Sequence, residues 1–214
     1  MSEKLSEKEI EDFKSSSSEI YPVMPLRNTV LFPQQVIPIY IGRNRSLKLI
    51  NDLNSGSKYI VVVAQEDGSI EDPKPEDLYS YGTLAQVLKV FDMPDNSKSA
   101  IVQGVDRVKI LKFNKGESYF MADIERIQES ITTPDVQIEA LAKNLKNSFT
   151  ELIKISPNLN EEHAGMLSNI DRPSRLADRA TSLLSVSNSE KQQVLEELDV
   201  RKRVENAINL LQKE

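Results

Sequence analysis

The segment from Met24 to Pro38 constrains the fold more than any other part of the sequence. It is apolar and strand-like, yet it contains three prolines, Pro25, Pro33 and Pro38. Each proline fixes φ and removes one backbone donor, so a sheet tolerates proline only at an edge, a bulge or a turn. The segment therefore predicts short β pieces separated by turns.

Residues 20–128 are dominated by β signals. Six strand-length segments rich in β-branched residues are separated by turn residues. They are residues 36–41, 59–64, 83–91, 100–103, 107–113 and 119–124. One helix interrupts them, with Asn44 as its cap and the run 54–56 as its end. This pattern predicts a small curled sheet or pseudo-barrel.

After Gln128 the apolar spacing changes from the strand period to the helix period. A first amphipathic helix carries apolar residues from Ile138 to Ile153 and stops before Pro157. Four more helices follow, and their predicted caps are Asn158 with Glu161, Asp171 before Pro173, Ser187 with Glu190, and Asp199. The apolar stripe of the last helix reaches the end of the sequence, which fits either a truncated longer helix or a natural end that frays.

The predicted fold class is α+β with three regions. Residues 1–19 combine alternating charges with a serine run and predict a disordered tail. Residues 20–128 form the β domain with its single helix, and residues 129–214 form a helical bundle.

Composition excludes several classes of function. With no cysteine and one histidine, the chain cannot build disulfides, a thiolate nucleophile or a cysteine-ligated zinc site. No run approaches the roughly 18 apolar residues of a membrane helix, and the acidic N-terminus lacks the apolar stretch of an export signal. We therefore expect a soluble, cytoplasmic protein without membrane association. Charges balance over residues 20–128, so nucleic-acid binding is not expected.

Two groups of apolar residues on predicted loops are candidates for binding. Leu31, Phe32 and Pro33 form one group, and Phe91, Met93 and Pro94 form the other. Apolar groups on turns near sheet ends could capture extended, unfolded segments. For Leu31 and Phe32 we favour the alternative that they close the end of the β domain. Met93 and Pro94 are better candidates, since a hairpin tip faces water.

Other polar features are interpreted as structural. The acidic stretch from Glu66 to Asp77 has no EF-hand spacing and is expected to be a solvated loop without metal. His163 lacks partners for a metal site and is assigned to a helix surface. The basic triplet 201–203 is flanked by acids and predicts a solvated helix face. Arg27 and Arg107 are expected to pair with Asp or Glu across the domain.

Several motifs in their order along the chain resemble the amino-terminal domain of Lon proteases. The strongest are Pro25-Leu-Arg-Asn-Thr-Val-Leu-Phe-Pro33 and Ile41-Gly-Arg-Asn-Arg-Ser46, and others are residues 63–65, 77–83, 102–107, 175–178 and 191–200. The resemblance implies a PUA-like β domain followed by a helical bundle that leads into an ATPase module. It also implies a hexamer for the complete enzyme, with unfolded or damaged proteins as substrates.

No phosphate-binding Gly-x-x-x-x-Gly-Lys-Ser/Thr motif occurs in the sequence, and nothing resembles the surroundings of Lon's Ser-Lys dyad. We therefore expect no catalytic, cofactor or metal site here, with ATP and Mg²⁺ confined to the missing ATPase domain. The predicted function is substrate recognition and oligomer assembly. Two alternatives stay open: a free-standing adaptor or ligand-binding protein, and a PUA-like RNA-binding module.

Overall fold

The computed structural model describes residues 19–53, 58–114, 118–129 and 135–214. Within these ranges it forms a six-stranded sheet and six α-helices. The predicted tail lies outside the described residues except for Glu19, which begins the first strand. The predicted end of the first helix, residues 54–56, also lies outside them.

The strands form a sheet that returns on itself. Their bounds are β1 Glu19–Leu26, β2 Val36–Ile41, β3 Tyr59–Ala64, β4 Tyr81–Asp92, β5 Lys98–Asn114 and β6 Met121–Arg126. The spatial order is β2-β5-β4-β3-β1-β6, and β6 also pairs with β5. Five strands therefore make a closed ring of pairings, with β2 added outside β5. The β1–β3 pairing is parallel, and the other pairings are antiparallel.

The first strand carries two prolines, Pro22 and Pro25, although it lies between two other strands. Its first half pairs with β6 and its second half with β3, so each half has one unpaired side. The Leu26 carbonyl accepts a hydrogen bond from Gln65 N at 2.8 Å, so Leu26 faces β3. The backbone hydrogen-bonding groups of successive residues in a strand point to opposite sides, so the backbone nitrogen of Pro25 points to the unpaired side. Pro25 therefore has the edge-like position that the sequence predicts, although β1 as a whole lies between two other strands.

One strand replaces two predicted ones. The sequence predicts separate strands at residues 100–103 and 107–113, whereas β5 runs through both as 17 residues. A register shift near Ala85 lets β5 bend without ending. Gly104 lies at this bend, and a Cβ there would stand 2.3 Å from the Phe32 carbonyl oxygen. A Cβ at Gly82 would stand 2.5 Å from the Val62 carbonyl oxygen, so another backbone approaches closely at both glycines.

The helices follow the predicted order with three corrected caps, the first being Asn44, which is the first residue of its helix rather than its cap. Their bounds are α1 Asn44–Leu53, α2 Val136–Ile153, α3 Glu161–Ser168, α4 Pro173–Leu183, α5 Asn188–Glu196 and α6 Val200–Leu211. Ser187 and Asp199 cap α5 and α6 as predicted. The cap of α3 is Asn160 rather than Asn158, and the cap of α4 is Arg172 rather than Asp171, without a side-chain hydrogen bond. Pro173 occupies the first turn of α4, so fewer orphan amides there need a cap.

The apolar core is divided among three clusters. Two lie in the β part, one of them including side chains of α1, and the third joins α2, α3, α4, α5 and α6. Residues 30–32 connect the β part to the helices, because Val30 and Phe32 belong to the helical cluster while Leu31 belongs to a β cluster. This alternation attaches the loop between β1 and β2 to both parts of the chain.

Candidate functional site

Four buried or half-buried charged groups join the strands to the helices. Arg107 on β5 pairs with Asp178 on α4 at 2.9 Å, and Arg203 on α6 pairs with Glu129 at 2.7 Å. Glu129 also accepts a hydrogen bond from Ser174 at 2.7 Å. The expected pairing of Arg107 with an acid is thereby confirmed. The prediction of a solvated face at 201–203 is wrong for Arg203, which is fully buried. We call Arg107, Asp178, Glu129 and Arg203 the junction network.

Burial and the neighbouring groups shift the pKa values of the two carboxylates in the junction network. Burial raises the pKa of Asp178 in spite of the neighbouring Arg107 and Arg203. Burial also opposes ionisation of Glu129, but hydrogen bonds from Ser174 and Arg203 outweigh it and lower the Glu129 pKa. Each arginine also donates to a backbone carbonyl, Arg107 to Leu195 and Arg203 to Glu197. A network this closely paired is suited to holding two parts of the fold together.

Of the six predicted binding residues, Leu31 and Phe32 are not available to a partner. Their side chains are 2% and 1% exposed, respectively. Phe32 packs in the helical cluster, and the Leu31 carbonyl accepts a hydrogen bond from Thr83 Oγ1 at 2.6 Å. The binding role of these two side chains is corrected accordingly, and the alternative that they close the β part is the one consistent with their burial. Pro33 is half-buried on the following turn.

The other three predicted residues lie together on an exposed hairpin. We call residues 91–97, where β4 turns into β5, the hairpin tip. Phe91 is 40% exposed and Met93 is 41% exposed, and Pro94 is also exposed. The turn is closed by Met93 N donating to the Ser97 carbonyl at 3.0 Å, and Asn96 takes the left-handed conformation with φ of 62°. The structure thus places an aromatic and a thioether side chain on an ordered turn.

Hydrogen bonds to the Asp95 carboxylate hold the hairpin tip in place. The Asp95 carboxylate accepts from Ser97 N at 3.1 Å and from the Tyr40 hydroxyl at 3.1 Å. These hydrogen bonds, first those from Ser97, lower the pKa of Asp95. Tyr40 belongs to β2, so the tip is attached to a second strand. Its apolar side chains are consequently offered to solvent from a fixed backbone.

A cleft that the sequence did not predict lies on the unpaired side of β1. It has a volume of about 730 Å³ and is bounded by residues 23–27, 40–46, 71–73 and 119–120. Three arginines line it, namely Arg27, Arg43 and Arg45, and we call it the arginine cleft. The motifs 25–33 and 41–46 contain all three. The sequence does not show that these two motifs meet, because Arg27 follows β1 whereas Arg43 and Arg45 lie where β2 leads into α1. Only the folded chain brings them to one cleft.

The acidic loop and His163 have local structural partners. Asp67 and Asp77 accept hydrogen bonds from the backbone amides of Ser69 and Lys74, at 2.8 Å each. The imidazole Nδ1 of His163 accepts from Asn160 N at 3.1 Å, which completes the cap of α3. Among the described residues, no group of His, Asp or Glu is arranged to hold a metal ion. Within the same residues, no helix combines the length and apolar character needed to cross a bilayer.

Comparison with known families and proteins identifies what the chain is similar to. The family profile described as the ATP-dependent protease La (LON) substrate-binding domain matches residues 20–213. A Lon protease from Koribacter versatilis is 38% identical over 201 residues, which are 94% of this chain and 25% of that protein. A Lon protease from Dictyoglomus thermophilum is 36% identical over 196 residues, which are 92% of this chain and 24% of that protein. The chain therefore spans about a quarter of the length of these relatives.

Two solved structures have the same fold. The N-terminal domain of the Mycobacterium avium complex Lon protease matches with a TM-score of 0.75 and 22% identity, covering 92% of this chain and all of that domain. A Lon N-terminal domain protein from Xanthomonas campestris matches with a TM-score of 0.64 and 16% identity, covering 89% of this chain and 98% of that one. At these identities the likeness concerns the fold.

Proposed function

Because the chain belongs to the family of ATP-dependent protease La (LON) substrate-binding domains, we propose that it is the substrate-recognition and assembly region of a Lon-type protease. The complete protein is then a cytoplasmic, hexameric serine endopeptidase that degrades misfolded and regulatory proteins. ATP, Mg²⁺ and the Ser-Lys dyad belong to its other domains, so this region takes part in capture rather than in cleavage. The five-strand ring corresponds to the PUA-like pseudo-barrel and α2 to α6 to the helical bundle.

The hairpin tip is the observation that carries the recognition part of this proposal. Unfolded chains expose apolar side chains and unpaired backbone, and a partner must accept many different sequences. Met93 is flexible and polarisable, which suits varied apolar partners, and Phe91 offers a rigid aromatic surface. Their backbone is already ordered by the Ser97 and Asp95 hydrogen bonds, so less conformational entropy is lost on binding.

Binding by such a small surface is weak for a single copy. Six copies in an assembly raise the effective concentration of the second and later contacts, so weak capture becomes sufficient. The apolar stripe of α6 does not supply the assembly surface, because Val204, Ala207 and Ile208 are buried in this chain's own core. Support for assembly therefore comes from family membership and not from α6.

The recognition proposal is tested by exchanging the apolar side chains of the hairpin tip. We expect Phe91→Ser and Met93→Ser to weaken binding of the 214-residue chain to immobilised casein, a natively unfolded probe, by several-fold. The matched control is Met166→Ser on α3, a methionine of similar exposure at 47%. Unchanged casein binding in both tip variants, or equal losses in the Met166 variant, would contradict the assignment.

A further inference from the structure

We propose that the arginine cleft binds a carboxylate of an unfolded polypeptide together with a neighbouring apolar side chain. The inference rests on the proposed function and specifies the chemistry that the recognition surface selects. The volume of about 730 Å³ lies within the range of roughly 300–1,000 Å³ that is usual for ligand pockets. The cleft is thus large enough for the end of a peptide or for a short internal segment.

Two of the three arginines carry positive charge that no carboxylate in the described residues balances at ion-pair distance. Arg45 is 3.6 Å from Asp72 and is paired. Arg43 instead donates to the neutral amide oxygen of Gln65 at 2.6 Å. Burial, and then the nearby positive charge of Arg27, lower the pKa of Arg43, and the carboxylates of Asp72 and Glu71 offset this only in part. An incoming anion would relieve this repulsion, so Arg27 and Arg43 are the expected carboxylate contacts.

Arg43 is held in place before any ligand arrives. Gln65, which orients it, is itself buried and donates through Nε2 to the carbonyls of Asp67 and Ile70 at 3.2 and 3.0 Å. A guanidinium fixed by a supported partner loses less side-chain entropy when it binds a carboxylate. The Arg43 guanidinium is therefore held in place by hydrogen bonds to the fold before a ligand binds.

The start of α1 adds donors to the same wall. The first hydrogen bond into this helix runs from Leu47 N to the Arg43 carbonyl at 2.9 Å. In the described part of the chain, no group accepts a hydrogen bond from the amides of Arg45 and Ser46, which precede Leu47. Free amides at a helix start favour anions. These amides supplement the arginines as contacts for an anion.

The cleft also excludes ligands with many charges. Its lining includes two carboxylates, Glu71 and Asp72, against three arginines, which leaves a net charge of +1. A polyphosphate or a nucleic-acid backbone would place further negative charges near these acids, and their repulsion disfavours it. A single carboxylate beside an uncharged group fits the lining better.

Apolar and aromatic groups adjoin the charged ones. The guanidinium of Arg45 lies over the Phe120 ring at 5.2 Å from its centroid, and Tyr119 lies beside it in the lining. The lining also includes Pro25 of β1, which has no N–H to donate to an added strand. Side chains rather than a β ladder must therefore recognise the ligand, with the aromatic groups receiving its apolar neighbour.

Tyr40 connects the arginine cleft to the hairpin tip. It lines the cleft, and its hydroxyl donates to Asp95 in the tip. Tyr40, Ser99 and Phe91 are directly opposite one another across β2, β5 and β4. The outer two of three adjacent strands are about 10 Å apart, a distance that roughly three to four extended residues cover. One unfolded segment can therefore contact the apolar tip and also reach the cleft where Tyr40 lines it.

The test measures binding of fluorescein-labelled decapeptides to the 214-residue chain by fluorescence anisotropy. One peptide ends in Leu-Phe with a free α-carboxylate, the second is identical but amidated, and the third is amidated with Asp before the final Phe. We expect the amidated peptide to bind about tenfold more weakly than the free one. If the third peptide recovers the affinity, an internal acidic side chain serves as well as a chain end.

Arginine variants locate the binding. We expect Arg27→Gln and Arg43→Gln each to weaken the free-carboxylate peptide by about tenfold, while Arg175→Gln, an exposed arginine of α4, changes it by less than about twofold. Unchanged melting temperatures confirm that the variants are folded. Equal affinity for the free and amidated peptides, no effect of the two cleft variants, no binding below about 1 mM, or displacement by single-stranded RNA at lower concentration would overturn the proposal.

The cleft and the hairpin tip can fail separately. If Phe91→Ser and Met93→Ser leave casein binding intact while the peptide results hold, the tip assignment is wrong and the cleft stands. If casein binding depends on the tip but the free and amidated peptides bind alike, the proposed function survives and the carboxylate preference does not.

Discussion

Arg107 and Asp178 form an ion pair of 2.9 Å between the longest strand and a helix, and both side chains are almost completely withdrawn from solvent. The pair lies 71 residues apart in sequence. Two buried ions that pair well can be neutral in their net effect on stability, but one left alone is costly. The junction network therefore makes the packing of strands against helices depend on every one of its members.

Removal of one partner tests this dependence. We expect Asp178→Ala to lower the free energy of unfolding by about 3–5 kcal/mol, because Arg107 and Arg203 would remain buried without it. Urea denaturation followed by circular dichroism measures the change. Glu151→Ala is the matched control, since Glu151 pairs with Lys154 on an exposed helix face and should cost less than about 1 kcal/mol. Similar losses in the two variants would show that the junction network has no special role.

Acid should weaken the fold through Glu129. Its pKa is lower in the folded chain than the ordinary value of 4.5, so its ionised form stabilises the fold above that pH. This contribution is lost as the pH falls below 4.5 and through the lowered pKa. We expect the Glu129→Gln variant to be less stable near neutral pH and to lose less stability than the parent chain on acidification. Urea titrations between neutral pH and pH 3 measure both slopes, and parallel slopes would contradict the assignment.

Phe32 should be essential for stability and Met93 should not. Phe32→Ser removes a buried aromatic side chain and places a hydroxyl in the helical cluster, so we expect a loss of about 3–5 kcal/mol or more. Met93→Ser acts on an exposed turn and should change stability by less than about 0.5 kcal/mol. Thermal unfolding of the two variants provides the comparison. A stable Phe32 variant would mean that the side chain does not join the two parts of the fold.

Local sequence signals were sufficient for most of the elements. The strand-length segments, the single helix among them and the capping residues Ser187 and Asp199 all lie where the pattern predicts them. Apart from the caps of α1, α3 and α4, the errors concern features that local patterns do not contain. Arg203 belongs to a charged triplet that resembles a solvated face, and only the fold brings it to Glu129.

The same reason explains which parts of the candidate site were predicted. The hairpin tip is a local feature, because turn residues between two apolar strands are recognisable in sequence. The arginine cleft is not, since Arg27 and Arg43 come from different segments and meet Phe120 from a third. Leu31 and Phe32 were ambiguous because an apolar pair on a loop can be either exposed or buried, and only the position of the helices decides between the two.

Two glycines should respond in opposite directions to the same substitution. Gly104 lies where β5 bends, and a Cβ there would stand 2.3 Å from the Phe32 carbonyl oxygen, a backbone atom that cannot move alone. We expect Gly104→Ala to lower the free energy of unfolding by roughly 1–3 kcal/mol, because the two backbones must separate.

Gly165 lies within α3, and a Cβ there would meet nothing within 4 Å in the described structure. Gly165→Ala should raise the free energy of unfolding by roughly 0.5–1 kcal/mol, since alanine loses less conformational entropy in a helix. Urea denaturation of both variants under the same conditions measures the difference, and a change of the same sign in both would contradict the close approach of β5 to the Phe32 turn.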